Sequence, residues 1–192
     1  MSSAEKQGKL VILSGPSGVG KSTICRQVVA RLGAMLSVSA TTRPQGAAEV
    51  DGQDYFFLSP QEFRRRLAEG EFLEYAEVFG NVYGTPRTPV QKAIAAGQVV
   101  ILEIDVQGAM QVKAAMPEAV MIFILPPRPE ELQRRIEARA RGEDELTRKK
   151  RLDKAEAEIA IANQHYDHFV VNDVLDKAVQ DVIKIIQGHE NP

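Results

Sequence analysis

The octapeptide Gly15-Pro16-Ser17-Gly18-Val19-Gly20-Lys21-Ser22 follows the apolar run Leu10-Val11-Ile12-Leu13 and precedes a helical pattern beginning near Thr23. No other stretch limits the fold as tightly. Its glycines let the backbone wrap until successive N–H groups converge on one centre, and the helix that follows adds its positive end there. Lys21 can then reach β- and γ-phosphates, and the Ser22 hydroxyl can ligate Mg²⁺. Such a loop works only between a strand and a helix, so it commits the start of the chain to a β-loop-α unit. Gly15, Pro16, Ser17, Gly18, Val19, Gly20, Lys21 and Ser22 are therefore expected to hold ATP or a similar polyphosphate.

The surroundings of the loop decide where that unit sits. Short apolar runs alternate with longer segments of helical period, the pattern of a parallel sheet covered on both faces. Lys9–Leu13 is the first predicted strand, and Ile24, Val28, Val29 and Leu32 form the inner side of the helix after the loop. Met35–Ala40 reads as a short strand and Tyr55–Leu58 as another. Ser59-Pro60-Gln61-Glu62 combines a capping box with proline at the first helical position, so a helix starts there and Gly70 closes it. Glu71–Ala76 reads as a strand, Gly80–Gly84 as a turn, and Thr85-Pro86 as a second capped helix start running through Val90 and Ile94 to Gly97. Val99–Ile104 and Ala119–Leu125 are continuous apolar runs without alternation, as expected of central parallel strands, with a helix over Val106–Met116 between them. From Glu130 to Ala162, arginines and lysines interleave with acids around two apolar stripes, which predicts a helix pair joined near Gly142 that could close over a ligand. His168–Asn172 and Leu175–Gln187 complete the pattern as strand and helix.

Composition narrows the partners. With 24 Lys+Arg against 26 Asp+Glu, the net charge of −2 gives no global attraction to nucleic acid or an anionic membrane, so a nucleotide must be bound locally. The 192 residues, 44% of them hydrophobic, suit a single domain with small excursions. The lone Cys25 cannot form an internal disulfide and falls on the inner side of the first helix, a place for a small core filler. No run approaches the ~18 apolar residues of a membrane span, and no signal-peptide core opens the chain, so a cytoplasmic protein is expected. No obligate protein partner is evident; a homo-oligomer is left open.

A phosphate-binding loop serves kinases, ATPases, GTPases and motors alike, and a second site must choose among them. No Asn-Lys-x-Asp base-reading motif of a GTPase occurs, and a motor needs far more chain. Ser37–Thr85 offers what a small phosphotransferase requires, an anion clamp and a base reader. Arg43 can make a bidentate contact with a phosphate, and the phenols of Tyr55 and Tyr83 can donate to its other oxygens. Glu74, set in Phe72-Leu73-Glu74-Tyr75, matches the adjacent N1–H and amino donors of guanine if it points inward, and rejects adenine. Pattern alone equally allows Glu74 to face solvent from an edge strand.

The segments Ser14–Thr23, Ser37–Arg43, Glu49–Phe57, Glu71–Ala76, Gly80–Thr85, Ile101–Gly108 and Val170–Asp173 closely resemble guanylate kinase, in order and over nearly the whole chain. The resemblance implies an α/β, three-layer fold with a central parallel sheet, MgATP-dependent phosphorylation of GMP and dGMP, and two mobile pieces. These would be a GMP-binding lobe over 37–87 and a lid over 129–164, mounted on a core of 9–36, 88–128 and 165–188. It places Ser39 at guanine O6, Glu74 at N1 and the amino group, Thr85 and Asp105 beside them, and Arg43, Tyr55 and Tyr83 on the GMP phosphate. It also gives Glu49 the task of bracing Arg43, Asn172 a place beside adenine, and Arg135, Arg139 and Arg151 contacts to the transferring phosphates. Either Glu103 or Asp105 would organise the water shell of Mg²⁺.

Two departures accompany the resemblance. The family continues after Thr-Thr-Arg through Pro-Arg-x-Gly-Glu, whereas this chain reads Pro44-Gln45-Gly46-Ala47-Ala48-Glu49, so Gly46 stands where a second clamping arginine belongs. Gln45 and Arg87 are candidate replacements. The lid is about one residue longer, so Arg139 and Arg141 compete for one position, with Arg139 favoured by its spacing from Arg135. Two other classes stay in view: a guanylate-kinase-like scaffold module, disfavoured by the intact Lys21-Ser22, and a sugar-phosphate kinase, disfavoured by Glu74 and Ser39. The three histidines, His165, His168 and His189, lie outside every motif.

Overall fold

A computed structural model describes residues 8–78, 80–128, 130–134 and 145–189, with the side chains of 145–148 left aside. Its centre is a five-stranded, all-parallel sheet of β1 (Lys9–Ser14), β2 (Met35–Leu36), β7 (Val99–Glu103), β8 (Val120–Leu125) and β9 (His168–Val171), in the order β2-β7-β1-β8-β9. The absence of alternation in these strands has the expected cause. Leu10, Ile12, Val100, Leu102, Met121 and Phe123 turn to one face, under α3 (Arg87–Ala95), α4 (Val106–Ala115) and the end of α5 (Glu145–His165). Val11, Leu13, Ile101, Ile122 and Ile124 turn to the other, under α1 (Lys21–Leu32) and α6 (Leu175–Gln187). Period-2 geometry therefore fills two cores from one set of strands.

A second, mixed sheet follows β2 in the chain. It holds β3 (Ala40–Thr41), β4 (Phe56–Phe57), β5 (Phe72–Val78) and β6 (Asn81–Pro86) in the order β4-β3-β6-β5, with α2 (Pro60–Ala68) across it. Its core is small: Phe63 of α2 stacks on Phe72, ring centroids 4.4 Å apart, over buried Ala40. Ser59 caps α2 as its capping box requires, accepting from the Glu62 N–H at 3.1 Å. Gln111 of α4 ties this sheet to the core. Its amide donates to the Tyr75 carbonyl at 2.9 Å and accepts from the Tyr75 N–H at 3.2 Å, as a neighbouring strand would.

Three expectations change. The strand predicted over 35–40 is two strands, β2 and β3, in different sheets; the chain crosses between sheets over 37–39, where Ser37 N–H still pairs with Ile101. Gly80–Gly84 is mostly strand β6, because Tyr83 and Gly84 pair with both β3 and β5 and Val82 pairs with β5. Thr85 does not cap α3; Pro86 takes that position without a side-chain bond, and the Thr85 hydroxyl is used elsewhere. The predicted helix pair appears as helical residues 130–134 and α5; its joint near Gly142, with Arg135, Arg139 and Arg141, lies outside the described residues. No described helix is long and apolar enough to cross a membrane.

Candidate active site

The loop between β1 and α1 closes over its own N–H groups. Gly20, at φ 98°, ends the turn as the N-cap of α1, a left-handed conformation suited to glycine. A Cβ there would also lie 2.5 Å from the Asn172 amide nitrogen. That buried amide donates to the Val19 carbonyl at 2.8 Å, so Asn172 braces the loop from the far end of the sheet. The Lys21 ammonium donates to the carbonyls of Gly15 and Pro16. Burial lowers its pKa, opposed first by the charge of Glu158 and then by that of Glu103. Ser22 donates to Glu103 at 2.6 Å, which brings together a hydroxyl and a carboxylate with the chemistry of a Mg²⁺ site. Asp105 sits differently: it caps α4, accepting from the Gly108 N–H at 3.0 Å.

Two adjoining cavities open at this end of the sheet. One, of about 260 Å³, is lined by Ser17–Lys21 loop residues with Ser22, Arg26 and Glu103. The other, of about 360 Å³, runs from Gly15 and Lys21 past Asp105 to Arg151, Lys154 and Glu158 of α5, with Val78 of β5 at its rim. Both the acceptor sheet and α5 thus border the phosphate loop. The histidines line neither cavity.

Within the second sheet, Glu74 is 6% exposed. A β-bulge between Phe72 and Glu74 breaks the pairing with β6, so Phe72, Leu73 and Glu74 are all buried in succession. Bulges re-aim side chains, and this one turns Glu74 inward. Thr85 donates to its Oε1 at 2.7 Å. Burial raises the Glu74 pKa, the Thr85 bond opposes the rise, and the charge of Asp105 adds to it.

The anion clamp is assembled around Arg43. Its guanidinium makes a bidentate pair with Glu49, at 2.6 and 3.0 Å, and lies 5.4 Å from the centre of the Tyr55 ring and 5.7 Å from that of Phe57. Tyr55 meets Tyr83 edge-on at 5.9 Å. The pair holds the Glu49 carboxyl below its ordinary range, helped by the Gly46 N–H, which donates to Glu49 at 2.7 Å. The Thr41 and Thr42 hydroxyls serve the backbone here, accepting from the N–H groups of Arg43 and Val82. Neither candidate for the missing arginine points at the clamp. Gln45 donates to the Glu49 carbonyl at 2.6 Å, and Arg87 directs two donors at the carbonyls of Gly70 and Phe72. Ser39 is half-buried between β2 and β3, its carbonyl pairing with Phe56.

Three residues escape a reading of the sequence alone. Phe57 stands under Arg43 beside Tyr55, although its sequence context marks it only as strand. Lys154 lies 4.0 Å from Asp105 and 3.8 Å from Glu158. Glu158 itself is 7% exposed, and its pKa is raised by burial. A signal existed: Glu158 falls within the stripe of Ala155, Ile159 and Ala162, where a carboxylate has no reason to be unless something meets it.

Comparison with known proteins agrees with this fold. The guanylate kinase family model matches residues 7–189. The chain is 49% identical over 180 residues to a guanylate kinase of Thermus thermophilus, covering 94% of this chain and 81% of that one. It is 50% identical over 173 residues to a guanylate kinase of Synechococcus elongatus, covering 90% and 93%. Among solved structures it is similar to guanylate kinase from Anaplasma phagocytophilum, with a TM-score of 0.75 and 33% identity, covering 97% of this chain and 88% of that one.

Proposed function

The chain belongs to the guanylate kinase family and is an ATP:GMP phosphotransferase; from that premise we propose how its residues divide the reaction. The transfer asks little covalent chemistry of the protein. It must set the GMP phosphate in line with the ATP γ-phosphate, neutralise charge and exclude water. The attacking phosphate oxygen is already ionised, so no general base is required.

On the donor side, Gly15–Ser22 cradle the ATP phosphates and Lys21 leaves its loop carbonyls for the β- and γ-oxygens. Asn172 serves the ATP site by holding the loop. Ser22 and Glu103 would hold Mg²⁺, a role supported by their direct contact, while Asp105 stays with the acceptor site as the cap of α4. When bound, the cation draws charge from the phosphate oxygens. Arg151, on the wall of the larger cavity, joins Arg135 and Arg139 as the lid cations.

On the acceptor side, Glu74 reads guanine N1–H and the amino group, with Thr85 and Asp105 completing the pocket and Ser39 at O6. Arg43, Tyr55 and Tyr83 take the phosphate. None of these contacts involves the ribose 2′-hydroxyl, so dGMP serves as well as GMP. We read 37–87 as a lobe and 129–164 as a lid that close toward the loop, in a cytoplasmic enzyme that feeds guanine nucleotide pools.

The observation that carries this reading is the inward, Thr85-bonded Glu74 beside an intact phosphate loop. A coupled ADP-release assay with MgATP and GMP, AMP, CMP, UMP or ribose 5-phosphate as acceptor tests it. GMP is expected to turn over at least 10²-fold better than any other, the scale on which unpaired buried polar groups discriminate. Equal turnover with AMP would overturn the reading.

A further inference from the structure

Gly108 is the third residue of α4, where its N–H completes the cap made by Asp105. Its φ is not left-handed, so the backbone does not ask for glycine. Helix propensity argues against glycine there as well, since alanine is favoured over glycine inside a helix. The reason for glycine lies across the gap between the two sheets. A Cβ at this position would come within 2.6 Å of Glu74 Oε2, 3.1 Å of its Cδ and 3.5 Å of its Cγ. A carboxylate at the end of a flexible chain could ordinarily swing away. Glu74 cannot do so freely, because Oε1 is tethered to Thr85 at 2.7 Å and the side chain is buried.

We infer that Gly108 is a specificity-determining position: the missing side chain lets a full-length glutamate lie over the first turn of α4, with Oε1 on Thr85 and Oε2 against the glycine, so that its carboxylate is held in one orientation for the base. Resting on the reading of Glu74 given above, the inference adds that base selection is shared between the small sheet and the core. The guanine reader is supplied by β5, and the wall that fixes its orientation is supplied by α4. Gly108 is in this sense a positioning residue; it touches Glu74, not the reacting atoms.

Three variants test the inference through steady-state kinetics and melting. Gly108→Ala is expected to raise KM for GMP about tenfold or more, the size of one compromised charge-assisted bond, with KM for ATP unchanged. The readout that separates the two roles is the KM split rather than Tm: a merely structural glycine would lower Tm and leave the GMP/ATP balance unchanged, whereas a positioning glycine moves KM for GMP alone, whatever the Tm. Glu74→Asp withdraws the carboxylate by one methylene, so adding Gly108→Ala to Glu74→Asp should change KM for GMP less than twofold, a coupling that a double-mutant cycle isolates. Glu74→Gln separates the two layers of the argument. If Glu74→Gln leaves KM for GMP unchanged, base reading by Glu74 is wrong. If Glu74→Gln impairs GMP while Gly108→Ala leaves KM for GMP unchanged, or raises it as much on Glu74→Asp as on the native chain, the role of Gly108 is wrong.

Discussion

The phosphate loop and the proposed acceptor clamp are assigned the same chemical group, yet they are built in opposite ways. The loop is anchored from outside: Asn172 at the end of β9 holds Val19, Glu103 at the end of β7 holds Ser22, and buried strands stand on both sides. The clamp is anchored from within. Arg43 is held by Glu49, Glu49 by the N–H of Gly46, and Arg43 rests on Tyr55 and Phe57, all in or beside the loop joining β3 and β4 of a sheet whose core is three buried residues. The donor platform is thus expected to tolerate little change anywhere in the large core, whereas the proposed clamp depends on a few contacts of its own, Gly46 to Glu49 to Arg43.

That contrast can be broken at several points. The largest effect is expected at Lys21. Lys21→Ala should lower kcat by about 10²–10³-fold, as loss of a preorganised charge at a transition state does, while the dissociation constant for GMP measured by calorimetry stays within about threefold. A comparable loss of GMP binding would mean that the two regions are not separate. Next is Arg43→Met, for which the rise in KM for GMP should be about tenfold to a hundredfold and KM for ATP should not move.

Gly46 sharpens the comparison. A Cβ at 46 would lie 2.9 Å from Glu49 Oε2, so any side chain there presses on the group that holds Arg43. Gly46→Ala should raise KM for GMP by about twofold to tenfold, the worth of one hydrogen bond in the brace. Gly46→Arg gains a cation at the expense of the brace and should improve KM by no more than the alanine variant loses. A tenfold improvement on introducing arginine would show that the brace is dispensable.

The smallest effect concerns stability. The fold raises the Glu158 pKa through burial, so the folded protein binds that proton more tightly than the unfolded chain. Stability from this group is therefore greatest at low pH and falls as pH rises from the ordinary carboxyl value through the raised one. Glu158→Gln removes the penalty and should raise Tm at pH 7. The gain should vanish near pH 3, below the ordinary carboxyl value, where both states are protonated. A gain that persists at pH 3 would place its origin in packing.

Much of the large sheet is legible in the sequence, and for a physical reason. Continuous runs such as Val99–Leu102 and Met121–Ile124 must be buried on both faces, and proline and glycine mark where they stop. The loop is legible because its glycines and Lys21 act through local geometry. The small sheet is less so. Met35–Ala40 gives no hint of the crossing between sheets, since two-residue strands carry no period. Gly80–Gly84 has turn composition but is paired on both sides, so long-range hydrogen bonds override local preference. Glu74 is undecided by pattern because its burial depends on a bulge, which the pairing with β6 creates. Glu158 is readable only as an anomaly in an apolar stripe, and the Gly108 contact joins a helix of the core to a strand of the small sheet far from it in sequence.

The central claim is that the base is read in the small sheet by the two oxygens of Glu74, apart from the donor platform. It is tested most directly by comparing kcat/KM for GMP and for inosine monophosphate, which keeps N1–H and the phosphate but lacks the amino group. With one carboxylate oxygen left unpaired, the account predicts at least about tenfold preference for GMP. Equal values for the two acceptors would contradict it.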